Sequence, residues 1–194
     1  MRLMVIFGPP SVGKMTVGRA VAASSEFRLF HNHSLLEPLL EVFDFGTPPF
    51  MQLLGECRRR VIEEAAAFGT DLVLTFVWGL DLNSEASELL GYVRPYTDRG
   101  AELVFVELYA DLDTRLERNG TEHRLAVKPS KRDLEWSDGN VRDFEQFVMN
   151  TGGSGAAPEP ARAILSDHRH LRLDNTQLTA AESAQTILAW VHQT

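Results

Sequence analysis

The sequence predicts a three-layer α/β fold in which helices cover both faces of a five-stranded parallel sheet. Three nearly continuous apolar runs are short enough to be strands buried on both faces. Helical patterns separate these runs along the chain, an alternation typical of βαβ units. A glycine-rich loop directly follows the first run, at the start of a helical pattern. Together these observations predict a P-loop type of α/β domain.

The first strand is predicted at residues 3–7, where the apolar run ends at a Gly-Pro pair. Residues 71–78 and 101–109 have the same apolar character. Shorter apolar runs at 27–30 and 170–173 are weaker strand candidates and complete the set of five.

Amphipathic patterns between the strands predict the helices. They cover residues 14–24, 34–43, 50–68, 83–98, 111–118, 133–149 and 179–192. Thr179 and Glu182 have the spacing of a capping box at the start of the last helix. Residues 151–160 (TGGSGAAPEP) predict a surface loop rather than a domain linker, because the chain after them is too short for a second domain. We therefore expect residues 1–194 to form a single domain.

Composition and charge limit the classes of partner. The chain has 27 acidic and 19 basic residues, and its net charge of −8 is a poor match for a nucleic acid. The apolar runs fall far short of the ~20 residues that span a bilayer, and the run at 3–7 is too short for a signal-peptide core. Cys57 is the single cysteine, which agrees with a reducing compartment. We expect a cytoplasmic monomer or homodimer that acts on a small molecule, without a nucleic acid or membrane partner.

The loop after the first strand has the spacing G-x4-G-K. Its glycines let backbone N–H groups turn toward anionic oxygens, and the helix N-terminus adds its dipole. The lysine supplies a point charge for a transferring phosphate. This pattern predicts a nucleotide phosphate site made of Gly8, Pro9, Pro10, Ser11, Val12, Gly13, Lys14, Met15 and Thr16.

One position departs from the usual phosphate loop. Met15 stands where a hydroxyl residue usually follows the lysine, and Thr16 comes one place later. Adenylate kinases have a similar order of residues. We therefore expect Mg²⁺ to be held largely through water and substrate phosphates, with Thr16 on a phosphate oxygen and bound to Mg²⁺ through water.

An arginine-rich segment follows the fourth predicted strand. Residues 115–132 contain six basic residues against Glu117 and Glu122, within an acidic chain. Such a local positive field suits a segment that closes over phosphates. We predict a mobile lid at residues 119–132, which includes Arg124. Arg58, Arg59 and Arg60 precede Glu63 and Glu64, a pattern typical of a solvated helix face.

Polar side chains follow the second and third predicted strands. His31, Asn32 and His33 end the second strand, where ligands of open parallel sheets bind. We expect them to contact a substrate, with His31 as a candidate base. Trp78 and Asp81 follow the third strand, Trp78 as a candidate substrate contact and Asp81 as an alternative base or weak Mg²⁺ ligand. Which of His31, His33 and Asp81 is the base is left open.

The assembly of these motifs resembles P-loop small-molecule kinases of the shikimate kinase and gluconate kinase group, with an adenylate kinase-like fold. The pattern is also similar to bacterial proteins labelled "shikimate kinase-like" or "AAA family ATPase". The resemblance implies a sheet in the strand order 2-3-1-4-5 and the use of ATP with Mg²⁺. It further implies that adenine lies near Arg118, Asn175 and Thr176, and that Arg124 closes over the transferred phosphate.

The departures from this group concern the acceptor. Shikimate kinases have aspartates at the end of the second strand, where this chain has His31, Asn32 and His33. Their glycine-rich run after the third strand is replaced here by residues 78–81 (WGLD). We therefore expect transfer of the ATP γ-phosphate to a hydroxyl or phosphate of a small cytosolic metabolite other than shikimate.

Three alternatives stay open at this stage. An antibiotic phosphotransferase, similar to chloramphenicol phosphotransferase or tunicamycin-resistance proteins, would have an apolar acceptor pocket. Phe43, Phe45, Phe50 and Trp78 are compatible with such a pocket. A nucleoside monophosphate kinase would need a second phosphate grip, for which residues 58–60 are the candidates. A non-enzymatic regulator would bind ATP without transferring phosphate.

Overall fold

The computed structural model describes residues 1–121, 134–152 and 156–193, and a parallel sheet lies at its centre. The strands are β1 (Arg2–Phe7), β2 (Arg28–Phe30), β3 (Leu72–Phe76), β4 (Glu102–Tyr109) and β5 (Arg169–Asp174). Their order is β2-β3-β1-β4-β5, with every neighbouring pair parallel. The predicted fold class and strand order are confirmed.

Helices connect the strands and cover both faces. Within the described residues they are α1 (Lys14–Ala23), α2 (His33–Leu40), α3 (Pro48–Phe68), α4 (Asn83–Thr97), α5 (Leu112–Asn119), α6 (Leu134–Asp143), α7 (Glu159–Leu165) and α8 (Ala180–Val191). A short 3₁₀ helix, Phe144–Gln146, follows α6. In none of these described helices is there an apolar stretch long enough to cross a membrane.

Side chains alternate between the two faces of the sheet and build two separate cores. Val5 and Phe105 point to one face, where α3, α4 and α7 pack, whereas Ile6 and Val106 point to the other, against α1 and α8. All four side chains are fully buried. Because both faces are covered, the carboxyl edge of the sheet is where the loops between strands and helices can form a site.

Two stretches differ from the sequence prediction. The helix predicted at 133–149 ends earlier, because the chain leaves the helix and places Thr151 against Glu107 of β4. The stretch predicted as a loop at 151–160 contains the start of α7. Pro160 lies in the first turn of α7, where proline is tolerated because the N–H it lacks has no helical partner there.

The predicted start of the last helix is confirmed. The Thr179 hydroxyl accepts a hydrogen bond from the backbone N–H of Glu182, and the Glu182 carboxylate accepts one from the backbone N–H of Thr179. The third strand ends two residues before its predicted end, at Phe76. The side chain of Trp78 then packs into the core beneath the carboxyl edge of the sheet.

Candidate active site

The loop between β1 and α1 turns through three residues with positive φ. These are Gly8 (139°), Ser11 (64°) and Gly13 (105°). A Cβ atom on Gly8 would lie 2.4 Å from the carbonyl oxygen of Leu108, so glycine is needed where the loop passes β4. Backbone of this kind directs successive N–H groups into one concavity, which suits an anion.

Lys14 opens α1 and its side chain turns back over the loop. Its Nζ donates hydrogen bonds to the carbonyl oxygens of Gly8 at 2.6 Å and Pro9 at 2.7 Å. Among the described residues, no side chain caps the N-terminus of α1, and its first turn holds no acidic residue. A helix N-terminus with these surroundings favours a bound anion.

The loop is fixed from behind by α5 and by the segment after β5. The Val12 carbonyl oxygen accepts hydrogen bonds from Arg118 Nη1 at 3.2 Å and Asn175 Nδ2 at 3.0 Å. Arg118 Nη2 donates to the carbonyl oxygens of Asn175 at 2.8 Å and Thr176 at 3.2 Å. The fold thus brings Val12, Arg118 and Asn175 together, although they are more than fifty positions apart in sequence.

A cavity of about 880 Å³ opens above the carboxyl edge of the sheet. Lys14 and Thr16 line its centre, residues 31–33 line it after β2, and Arg118 and Asn175 line it after α5 and β5. This volume lies within the usual range for small-molecule sites. One cavity therefore joins the phosphate loop to the polar end of β2.

The remaining phosphate-loop residues either line the cavity or support the conformation of the loop. The residues that also line the cavity are Pro10, Ser11, Gly13 and Met15. Gly8, Pro9 and Val12 are not lining residues, and they act through backbone conformation and carbonyl oxygens. Thr176 likewise acts through its carbonyl oxygen, which accepts from Arg118.

Helix α6 also borders the cavity, and no sequence pattern predicts how this helix is attached. Asn119 is fully buried and donates from Nδ2 to the Ser137 hydroxyl at 2.9 Å and to Asp138 at 2.6 Å. The Ser11 hydroxyl donates to Asn119 Oδ1 at 3.0 Å. Asn119 therefore ties α6 directly to the phosphate loop.

The chain after β2 is held in place by backbone and side-chain contacts. Asn32 donates its backbone N–H to the Thr75 hydroxyl on β3 at 3.2 Å, and His31 donates its backbone N–H to the Ser34 hydroxyl at 3.3 Å. Arg58 of α3 donates to the side-chain oxygen of Asn32 and, at 3.4 Å, to the Asn32 carbonyl oxygen. These contacts fix the direction in which residues 31–33 meet the cavity.

The role of residues 58–60 differs from the solvated face that the sequence predicts. Arg60 fits the prediction, since it is exposed and pairs with Glu63 and Glu64. Arg58 does not fit it, because it points beneath the end of β2 beside Tyr92. Burial, together with the neighbouring Glu88 carboxylate, raises the pKa of Tyr92 to about 12. The position of Arg58 in the sequence of this helix does not by itself distinguish it from Arg59 and Arg60.

His33 forms a carboxylate–imidazole pair that the sequence reading missed. His33 Nδ1 lies 3.0 Å from Glu37 Oε1, and both residues are on α2. With the Nδ1 proton directed at Glu37, the imidazole carries its lone pair on Nε2. The i, i+4 spacing of a histidine and a glutamate at the start of a predicted helix was the available signal.

Two predicted acceptor-site residues need correction. Trp78 is fully buried and packs against Phe7 and Phe105, so its indole belongs to the core and does not line the cavity. The Asp81 carboxylate accepts a hydrogen bond from the backbone N–H of Val148 at 3.1 Å. Asp81 is not among the lining residues either, because the chain after Trp78 turns away to meet the segment that follows α6.

The aromatic residues proposed for an apolar pocket are also divided by the fold. Phe50 is fully buried, and Phe43 packs against the cluster that contains it. Phe45 alone of the four lines the cavity, and 67% of its surface is exposed. Arg124 and most of the predicted lid at 119–132 lie outside the described residues.

A buried carboxylate supports the phosphate loop from the other side. Burial by itself would raise the pKa of Glu107, but hydrogen bonds from His170, Thr151 and Asn150 outweigh burial and hold this pKa below its usual value. Asn150 Nδ2 also donates at 3.0 Å to the Leu108 carbonyl oxygen, the atom beside Gly8. The segment after α6 is therefore fastened directly behind the loop.

Comparison with solved structures identifies the fold. A sugar kinase from Janibacter sp. is 14% identical, with a TM-score of 0.60, and the match covers 98% of this chain and 94% of that one. A shikimate kinase from Acinetobacter baumannii in complex with shikimate is 20% identical, with a TM-score of 0.56 and coverage of 98% and 93%. The tunicamycin resistance protein of Deinococcus radiodurans is 16% identical, with a TM-score of 0.53 and coverage of 100% and 96%.

These likenesses extend over nearly the whole of each chain. The chain therefore has the fold of P-loop small-molecule kinases, as the sequence resemblance implies. No protein-family model matches the sequence, and neither does any curated protein sequence.

Proposed function

We propose that this protein is an ATP-dependent phosphotransferase that moves the γ-phosphate of ATP to a hydroxyl, or a phosphate, of a small molecule. The observation that carries the proposal is the single cavity lined both by Lys14 and by residues 31–33. Transfer needs the donor phosphate and the acceptor in one enclosed space, since catalysis of this reaction is mainly positioning and charge stabilisation. The fold shared with a sugar kinase and a shikimate kinase supports the same reaction class.

The residues around α1 fit the phosphates of ATP and a magnesium ion. The backbone concavity at Gly8, Ser11 and Gly13 would hold phosphate oxygens, and Lys14 would leave its loop carbonyls to follow the transferred group. Across the described residues, no three His, Cys, Asp or Glu side chains cluster to hold a metal. This fits an ion bound mainly by phosphates and water beside the Thr16 hydroxyl. Mg²⁺ bound there would neutralise charge on the phosphates.

The segment of residues 31–45 is the acceptor side of the cavity. We assign His33 as the group that holds the acceptor's proton, because its Nε2 carries the lone pair while Glu37 fixes its ring. His31 lines the same part of the cavity and remains the alternative. Arg58 is a positioning residue that orients Asn32 from beneath. Asp81 has no part in this assignment.

The opposite end of the cavity is assigned to adenine. Arg118 and Asn175 line this end, and their hydrogen bonds to the loop carbonyls give it a fixed shape. The lid at 119–132 with Arg124 remains a prediction. We also propose that the protein works in the cytoplasm, as a monomer or a homodimer.

The test compares the wild type with Lys14→Ala. Each is incubated with γ-labelled ATP, Mg²⁺ and a cytosolic metabolite extract, and the labelled products are separated. We expect a new labelled compound with the wild type and a loss of at least about a hundredfold with the variant, because the variant lacks the charge that follows the phosphate. Urea unfolding confirms that both proteins are folded. Equal labelling by the two would rule out the proposed role of the loop.

A second variant separates transfer from binding. We expect His33→Gln to bind ATP with unchanged affinity but to form the labelled compound slowly. Label that moves only to water, in both the wild type and His33→Gln, would favour a nucleotide-hydrolysing regulator over a phosphotransferase.

A further inference from the structure

We infer that the acceptor is amphipathic, with its reacting hydroxyl beside His33 and an apolar body between α2 and α6. This inference rests on the proposed phosphotransfer function and adds the chemical class of the acceptor. It depends on which side chains line the cavity on its two facing walls.

The first wall is the inner face of α2 and the turn that follows. His33, Leu36 and Leu40 recur at helical spacing and all line the cavity, so the wall changes from polar to apolar within two turns. Phe45 continues it with 67% of its surface exposed, its ring centroid 5.4 Å from that of Phe50. The apolar surface therefore begins next to the proposed base.

The second wall is α6 with its 3₁₀ extension. Trp136, Val141 and Phe144 line the cavity, and 51% of the Trp136 surface is exposed. The Ser137–Asn119 hydrogen bond fixes which face of α6 looks inward. After α6 the chain runs toward the end of β3, where Val148 accepts a hydrogen bond from Leu80 N–H at 2.7 Å. Because β3 lies between β1 and β2 in the sheet, α6 leads toward the acceptor side.

These two walls explain what kind of acceptor fits. A sugar presents hydroxyl groups all around, and burying them against leucine, valine and phenylalanine would leave them without hydrogen-bond partners. An apolar body would instead cover the exposed surface of Phe45 and Trp136. Leu36 and Val141 are buried, but all four side chains line the same cavity as the phosphate loop.

The experiment uses alkane-1,2-diols as probes, from propane-1,2-diol to octane-1,2-diol, with glycerol as the polar reference. Binding to the intact protein is measured by calorimetry, with a non-hydrolysable ATP analogue and Mg²⁺ present. We expect the Kd to fall about two- to fourfold for each added methylene, and glycerol to bind far more weakly than octane-1,2-diol. A Kd that does not depend on chain length would overturn the inference.

Matched variants locate the binding. Phe45 and Phe68 are both exposed phenylalanines, but Phe68, which is 89% exposed at the end of α3, does not line the cavity. We expect Phe45→Ser to raise the Kd of octane-1,2-diol about tenfold and Phe68→Ser to leave it unchanged. Equal effects of the two substitutions would overturn the inference. Since both side chains are exposed, neither variant is expected to unfold.

Three further measurements separate this inference from the proposed function. If the diol and the ATP analogue compete, the apolar walls hold the adenine base and the inference fails. If Lys14→Ala loses ATP binding but still binds the diol with the chain-length dependence intact, the apolar acceptor site is supported independently of the phosphate loop. If diols bind as expected but phosphate is never transferred to any of them or to an extract component, the proposed function fails while the apolar ligand site stands.

Discussion

The phosphate loop and the acceptor side of the cavity are held by different means. In the loop, three positive φ angles and the hydrogen bonds of Arg118 and Asn175 define the backbone path. On the acceptor side, β2 is only three residues long and lies at the edge of the sheet, where β3 is its one neighbour among the described strands. Helix α2, which follows it, is short and contains Pro38.

This difference indicates where substitutions can change specificity without loss of the fold. A site made of backbone N–H groups recognises phosphate in any sequence that keeps the loop conformation. A site made of side chains on a short edge strand and a short helix can be altered residue by residue.

The largest difference between the two regions is expected when one glycine in each is replaced by alanine. Gly8 and Gly46 both have positive φ, but a Cβ on Gly8 would meet Leu108, whereas a Cβ on Gly46 would meet none of the described residues within 4 Å. We expect Gly8→Ala to lower the free energy of unfolding by about 3 kcal/mol or more and to abolish ATP binding. Gly46→Ala should cost about 1 kcal/mol. Urea unfolding measures the loss of stability in both variants. Equal losses would contradict the difference in how the two regions are held.

Replacing one arginine by lysine in each region should raise the KM of a different substrate. Arg118→Lys cannot keep all the hydrogen bonds to Val12, Asn175 and Thr176, so we expect the KM for ATP to rise about tenfold. Arg58→Lys should raise the KM for the acceptor by a similar factor and leave that for ATP unchanged.

Arg60→Lys is the control for both arginine exchanges, since Arg60 is exposed and pairs only with surface glutamates among the described residues. Steady-state kinetics should show no change in either KM for this variant. A rise in both KM values for Arg58→Lys would mean that the two regions are not independent.

A smaller change tests the base on the acceptor side. Glu37→Gln keeps a hydrogen-bonding group beside His33 but removes the negative charge, so we expect kcat to fall several-fold without a change in the KM for ATP. Glu41→Gln, just after the end of α2, is the matched control and should have wild-type kcat. If both substitutions lowered kcat equally, the contact between Glu37 and His33 would have no special role.

The smallest expected effect is a pH dependence of stability behind the phosphate loop. Because the pKa of Glu107 is lower in the folded protein than its ordinary value of 4.5, the folded state favours the ionised carboxylate. Its contribution is present above pH 4.5 and is lost as the pH falls through the folded pKa. The urea concentration at the unfolding midpoint should therefore fall as the pH is lowered. This midpoint should fall less steeply for Glu107→Gln than for the wild type. A parallel decline in the two proteins would contradict this.

Much of the fold could be predicted because it depends on local patterns. The apolar runs predict the strands, and the G-x4-G-K spacing predicts the phosphate loop with its lysine. The helix α7 was missed because glycine and proline usually indicate a loop, whereas here Pro160 lies in a first helical turn. The i, i+4 spacing of His33 and Glu37 would have predicted their contact, which the sequence analysis does not include.

The site could be predicted only in part. Trp78 and Asp81 follow a strand at the expected edge, but one turns into the core and the other meets Val148. Arg58 directly precedes the surface arginines Arg59 and Arg60, and only the packing of α3 against α4 brings it beneath Asn32. Asn119 was equally unremarkable in sequence, although it joins α5, α6 and the phosphate loop.

The sequence by itself determined the layered parallel sheet and the phosphate loop, because both follow from the periodicity of apolar residues and from glycine conformations that are local in the chain. The tertiary structure alone decided which side chains face the acceptor. That choice depends on how α2, α3 and α6 pack over the carboxyl edge of the sheet. Such packing joins residues far apart in sequence, so it leaves no local pattern in the chain.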